Sequence, residues 1–188
     1  AFLGELNPDA IALQFRHNYI PTPFSIYQGI SKLTPGTILY FDSAARRARS
    51  AGKAVVYWSA KGAAEAGLRA PFTGSEAEAA DSLERHLQNS IAGQMVADVP
   101  LGAFLSGGID SSTVVALMQA QSSRPIQTFT IGFDEEGYNE AKHAKIVAKH
   151  LGTEHTELYI RPEEAQAVIP LLPTIYDEPF SDSSQIPT

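Results

Sequence analysis

The amino-acid sequence predicts an α/β domain, a parallel sheet with helices on both of its faces. Three observations carry this. From residue 75 onward, helix-like and strand-like segments alternate one for one. The run Pro100 to Leu105 is short and apolar, and Gly107-Gly108 ends it before a helical stretch begins. Ser75-Glu76-Ala77-Glu78 has the capping-box spacing, and Leu83, Leu87 and Ile91 then recur every fourth residue on one helix face.

Taken in order, Pro8 to about Asn18 fits one amphipathic helix, with Ile11, Leu13, Phe15 and Tyr19 as apolar contacts. Thr37 to Phe41 and Ala54 to Trp58 resemble short strands, with Pro35-Gly36 and Asp42-Ser43 as turn signals. Ala60 to Ser75 is rich in Ala and Gly and reads as a linker. It divides the chain into residues 1–60, a connector at 61–75 and a domain from 76 to 188. Within that domain Thr113 to Met118 continues as a helix, and Ile126 to Phe133 forms the second strand. Asn139 caps a helix that ends at Leu151, with Gly152 as the stop. His155 to Ile160 is the third strand, and Pro162-Glu163-Glu164 opens another helix.

Composition excludes several function classes. A formal net charge of −7, with scattered Lys and Arg, leaves no electrostatic footprint for nucleic acid. Arg46-Arg47-Ala48-Arg49 is the one basic knot and reads as a solvated loop. The absence of cysteine removes disulfides, thiolate metal sites and a cysteine nucleophile from this chain. No stretch approaches the ~20 apolar residues of a membrane span, so a cytoplasmic protein without membrane partners is expected. The five histidines, at 17, 86, 143, 150 and 155, lack metal-ligand spacing and read as structural or surface residues.

The chemistry concentrates in Leu105-Ser106-Gly107-Gly108-Ile109-Asp110-Ser111-Ser112, between a strand and a helix. Consecutive glycines let the backbone turn tightly and approach a ligand. The following N–H groups lie at a helix start, where unpaired donors and the helix dipole favour an anion. Ser106, Ser111 and Ser112 add hydroxyls. Asp110 would repel a phosphate unless a cation lay between them. Two readings stand for it: a Mg²⁺ ligand, direct or through water, and a helix N-cap. The loop is neither a Walker A motif nor a dinucleotide fingerprint.

This loop resembles the Ser-Gly-Gly-x-Asp-Ser loop of the ATP pyrophosphatases, which split ATP to AMP and pyrophosphate. Four further segments narrow the likeness to the glutamine-hydrolysing asparagine synthetases: Asp98 to Leu105, Thr128 to Phe133, His150 to His155, and Tyr176 to Ser184. Upstream, Ile30 to Gly36 and Tyr57-Trp58 resemble the tail of the glutaminase domain in these enzymes. The resemblance implies an adenine-nucleotide α-hydrolase-like sheet over 76–188. Ahead of it would stand a short β-rich remnant of an N-terminal-nucleophile glutaminase domain over 1–60.

It also implies ATP and Mg²⁺ as cofactors. The substrates would be aspartate and ammonia released from glutamine, and the full-length form would be a possible homodimer. Ser106, Gly107, Gly108, Asp110 and Ser111 would hold pyrophosphate and Mg²⁺, with Leu105 and Ser112 completing the loop. Phe104 and Ile131 would flank the adenosine; for both, plain core burial is the alternative. Asp177, Glu178 and Asp182 would form either a wall of the substrate site or helix-end caps and solvated charge. The start at Ala1 and the stop at Thr188 suggest a fragment, expected to be inactive alone. The nucleophilic cysteine, the second acidic loop Ser-Gly-Glu-Gly-Ser-Asp-Glu and the later phosphate-binding lysines of these enzymes are not within it. Rival expectations are a β-lactam synthetase or other amide-forming paralogue, and a non-catalytic nucleotide-binding module.

Overall fold

The structure, a computed structural model, describes residues 4–41, 52–133, 139–182 and 185. Asp42-Ser43, the Arg46 to Arg49 knot and Ser183-Ser184 lie outside the described residues. The chain divides into two compact units. The first holds the described residues up to Phe72 together with those from Pro170 onward; the second is Thr73–Ile169.

In the first unit, helix α1 spans Pro8–His17. Asn7 caps it, its side chain accepting from the N–H groups of Asp9 and Ala10, and Pro8 stands where a missing N–H costs nothing. Asn18 ends α1 in the left-handed conformation. Ala10, Ile20 and Ile26 form the small core beneath it. Strands β1 (Thr37–Tyr40) and β2 (Lys53–Val56) pair antiparallel, with Thr37 opposite Val56. The segment read as a linker is helical over Ala60–Arg69, helix α2. Alanine loses no side-chain entropy in a helix, and the Ser59 hydroxyl accepts from the Gly62 N–H at 3.0 Å. None of its residues is buried, so local propensity and the cap account for it. The boundary between the units falls just after it.

The second unit carries the alternation. Helix α3 (Glu76–Gln94) opens on the expected capping box: the Ser75 hydroxyl accepts from Glu78 N–H, and the Glu78 carboxylate accepts from Ser75 N–H at 2.8 Å. There follow β3 (Gly102–Phe104), α4 (Ile109–Ala120), β4 (Gln127–Phe133), α5 (Ala141–Leu151), β5 (Glu154–Ile160) and α6 (Pro162–Val168). The three strands form one parallel sheet in the order β3-β4-β5. Phe104 stands opposite Phe129, and Thr128 opposite His155. The start of α5 differs by one residue from expectation. Glu140 is the N-cap, while the Asn139 side chain accepts from Ala141 N–H at 3.2 Å. Gly152 stops α5 in the left-handed conformation, as its position suggested.

Helices cover one face of this sheet, not both, among the described residues. Ala103 and Leu105 at β3 join Val115 of α4 and Ala144 and Ala148 of α5 in one core cluster. Ile91 of α3, Met118 of α4 and Ile126 form a second, which Ala103 also touches. Fully burying a side chain such as Leu105 or Val115 stabilises by about 1.5–3 kcal/mol. The opposite face carries Phe104, Phe129 and Leu158, all exposed. Strand alternation sets this division, because residues 104, 129 and 131 point away from 103, 105 and 130.

A polar group fixes the edge strand. Lys145 of α5 lies 2.8 Å from Glu157 of β5, and the Tyr159 hydroxyl donates to the same carboxylate at 2.9 Å. Lys145 first, then Tyr159, hold the Glu157 carboxyl below its ordinary value. The native state therefore binds this proton less readily than the unfolded chain. The stabilisation is complete above the usual glutamate value of about 4.3. It is lost as pH falls through the lower native value. Glu157→Gln should therefore flatten the acid-side fall in Tm below about pH 5 relative to the parent. Parallel Tm–pH curves for the two proteins would count against this account.

Candidate phosphate-binding loop

The loop is placed by β3 before it and α4 after it. Leu105 closes the strand: its N–H donates to the Phe129 carbonyl at 2.9 Å, and its carbonyl accepts from the Thr130 hydroxyl. Its side chain is buried in the core. Leu105 therefore offers a ligand neither a free backbone N–H nor a side chain; it is the anchor from which the loop springs. Thr130, itself buried, was not singled out in the sequence. A β-branched hydroxyl residue on a strand gives no signal of its own there.

From that anchor the chain turns through Ser106 and Gly107. The Ser111 hydroxyl oxygen accepts from Ser106 N–H at 3.2 Å and lies 2.9 Å from the Ser106 hydroxyl. The Ser106 hydroxyl in turn accepts from Gly108 N–H at 3.3 Å. Both serines thus hold the loop in shape, where the sequence reading had them as donors to an anion. The Ser112 hydroxyl is buried and has no partner among the described residues.

The two glycines have different causes. Gly107 has φ +80°, and a Cβ there would stand 2.7 Å from the Ala144 nitrogen and 2.8 Å from the His143 Cβ. The loop therefore rests directly on the first turn of α5. At Gly108 φ is −72° and ψ 162°, open to any residue, and a Cβ would meet only the Ser106 hydroxyl, at 3.3 Å. Packing at 108 is thus less tight than at 107, and a side chain there would press only on the Ser106 hydroxyl. What the bare position leaves free is an approach from outside.

Gly108 is the N-cap of α4 and supplies no side-chain acceptor. The first-turn N–H groups, at Ile109, Asp110 and Ser111, have no carbonyl one turn earlier to bond and form the positive end of a twelve-residue helix. Asp110 is the second helical residue, which removes the N-cap reading of its carboxylate. It is exposed. No group of three or more His, Cys, Asp or Glu able to hold a metal exists among the described residues. Mg²⁺ fits this set in one manner: it takes one or two carboxylates and fills its shell with phosphate oxygens and water. Asp110 can supply the carboxylate.

Phe104 and Ile131 share the open face of the sheet, since Phe104 pairs with Phe129 and Ile131 lies two residues further along β4. Phe104 is 65% exposed, so core burial does not account for it. Ile131 is partly buried. Loop and apolar face together offer a donor-rich cradle beside a flat hydrophobic surface, at the carboxyl ends of parallel strands, where ligands of open α/β sheets gather.

The remaining candidates fall elsewhere. Glu178 belongs to the first unit, paired with Lys32 and accepting from Ile26 N–H at 3.3 Å, so it is neither a helix cap nor solvated charge. His155 is structural, its Nδ1 lying 2.9 Å from the Thr128 hydroxyl. No helix among the described residues is long and apolar enough to cross a membrane.

Comparison with known proteins gives the family. The family model described as asparagine synthase matches residues 82–188. The chain is 35% identical over 184 residues to "Putative asparagine synthetase (glutamine-hydrolyzing) 2" of Methanocaldococcus jannaschii, covering 97% of this chain and 33% of that protein. It is 33% identical over 170 residues to "Putative asparagine synthetase (glutamine-hydrolyzing)" of Mycobacterium bovis, covering 90% and 24%. It is 39% identical over 102 residues to "Asparagine synthetase (glutamine-hydrolyzing) 1" of Bacillus subtilis, covering 54% and 16%. The chain thus spans a third or less of the length of these relatives.

Proposed function

Because the chain belongs to the asparagine synthase family, we propose that it carries the pyrophosphate-binding half of an ATP site that makes AMP and asparagine. Gly108 is the observation that carries this reading. It is a glycine at the N-terminus of α4 with no backbone but that of its chain neighbours within 4 Å of where a Cβ would stand, beside the one carboxylate of the loop.

The chemistry follows from the partners. A carboxylate is a poor electrophile. An oxygen of the aspartate β-carboxylate attacks the α-phosphorus of ATP; the bond to pyrophosphate breaks, and an acyl-adenylate forms. Ammonia, derived from glutamine, then adds to the acyl carbon; AMP leaves with the former carboxylate oxygen, and one proton is released. The loop's work is to hold the departing pyrophosphate as its charge grows. The N–H groups of Ile109, Asp110 and Ser111 face that charge from the helix end, with Ser106 and Ser111 keeping the turn rigid. Mg²⁺, when bound, neutralises phosphate charge, and Asp110 would hold it. Phe104 and Ile131 would pack against the adenosine. A cytoplasmic, homodimeric full-length enzyme is part of the same proposal, as is the inactivity of residues 1–188 alone.

Aspartate labelled with ¹⁸O in its β-carboxylate tests the reaction in the full-length protein. One label should appear in AMP. Release of ADP, or AMP without label, would remove the adenylation step. Gly108→Ala tests the loop: native stability should change by less than about 1 kcal/mol. Pyrophosphate release should nonetheless fall about tenfold or more, because a methyl group would displace the phosphate. Unchanged release would take Gly108 out of the site.

A further inference from the structure

The loop carries backbone donors but no basic side chain. Leu105 to Ser112 contains neither lysine nor arginine, and its one charged residue, Asp110, is negative. The Ser106 and Ser111 hydroxyls are turned on each other, and the Leu105 N–H is spent on β4. From within the loop, a departing pyrophosphate is met chiefly by the first-turn N–H groups of α4. A neighbouring element adds a donor. A Cβ on Gly107 would stand 2.8 Å from the His143 Cβ and 2.9 Å from the His143 carbonyl carbon, so His143 lies directly against the loop backbone. His143 is the third residue of α5, its N–H donating to the Glu140 carbonyl at 3.0 Å, and its side chain is exposed. The ring takes part in no hydrogen bond or ion pair among the described residues. Helix α5 begins beyond the carboxyl end of β4, the end of the sheet at which the loop opens. Helical side chains lean toward the N-terminus of their own helix. The imidazole therefore leans toward the mouth of the loop, while its neighbour Ala144 turns into the core.

We propose that His143 is a pyrophosphate-binding residue, its imidazole N–H donating from α5 to an oxygen of the pyrophosphate held by Ser106 to Ser112. The inference rests on the adenylating reaction proposed above. Every part of it lies in the second unit. The chemistry is complementary: in either neutral tautomer one ring nitrogen carries a proton, and a phosphate oxygen accepts it in a charge-assisted hydrogen bond. The bare Gly107 gains a second purpose, since a side chain there would push α5, and His143 with it, away from the loop. Asp110 and His143 divide the work, the carboxylate of α4 serving the cation and the ring of α5 the anion. Lys142 does not share this place. It is turned about 100° round the helix from His143, and none of the three atoms nearest a Cβ at Gly107 belongs to it.

The test uses the full-length enzyme and two product inhibitors, inorganic pyrophosphate and AMP. In His143→Ala the inhibition constant of pyrophosphate should rise about tenfold, the loss of one charge-assisted hydrogen bond, while that of AMP stays within about twofold. His143→Gln keeps an N–H donor at similar reach and should bring the pyrophosphate constant back to within about threefold of the parent. Lys142→Ala should leave both constants within about twofold, which separates His143 from the general charge of the helix end. The urea midpoint of His143→Ala should match that of the parent, because the ring holds nothing in the fold. An unchanged pyrophosphate constant in His143→Ala, or an equal rise for AMP, overturns the role of His143. So does His143→Gln as weak as His143→Ala, an equal loss in Lys142→Ala, or a lowered urea midpoint. A parent enzyme that pyrophosphate does not inhibit overturns the reaction itself, whatever the variants do.

Discussion

Gly107→Ala should lower native stability by about 2–5 kcal/mol and abolish pyrophosphate release together with it. The left-handed backbone at φ +80° costs a residue with a Cβ about 1–2 kcal/mol. The new methyl would then stand 2.7 Å from the Ala144 nitrogen and 2.8 Å from the His143 Cβ. Neither neighbour is the free end of a flexible side chain. Backbone of α5 must move, and overpacking of this kind costs a further ~1–3 kcal/mol. Urea unfolding gives the stability change, and the comparison with Gly108→Ala gives it meaning. Adjacent glycines in one motif should behave oppositely, one failing in stability and the other only in turnover. Equal losses of stability at both positions would show that α5 does not press on the loop.

Asp110→Asn should do the reverse, leaving the fold and removing the chemistry. The side chain is exposed in the first turn of α4, where a carboxylate favours the helix by about 0.3–1 kcal/mol. Stability should fall by no more than that. Pyrophosphate release by the full-length enzyme should fall about a hundredfold or more, because the amide cannot balance a cation against phosphate. A variant that is as active as the parent would reduce Asp110 to a dipole partner of its helix, and the nucleotide-binding module without catalysis would become the better reading.

The two variants also show what was legible in the sequence. The loop could be read because its causes are local: a strand, two glycines, hydroxyls and a carboxylate within eight positions. The capping box at Ser75 and the stop at Gly152 could be read for the same reason. Asp110 could be read in part, since its residue type fits both a cap and a metal ligand, and only the backbone placed Gly108 at the cap. The serines' role could not be read, because whether a hydroxyl faces a ligand or a neighbour depends on a rotamer. The helix over alanine-rich Ala60–Arg69 went unread because of its glycines, although its alanines favour a helix and Ser59 caps it. The face of the sheet left open was invisible too, since alternation gives two faces and does not say what covers each. Least legible was Glu178, whose partner Ile26 lies 152 positions away.

The strand order β3-β4-β5 has a consequence for how the protein is made. Each strand lies beside the next one in the chain, so every pairing of this sheet joins neighbours in sequence. Each pairing is parallel and closes across an intervening helix, so it forms more slowly than a hairpin would. On a ribosome these three strands can pair in chain order, the last pairing becoming possible once Ile160 is out. The N-terminal unit follows another schedule. Its small core of Ala10, Ile20 and Ile26 can gather at once, but the amide of Ile26 and the ammonium of Lys32 must wait for Glu178. The earlier of the two units is in this way finished only after the sheet that follows it.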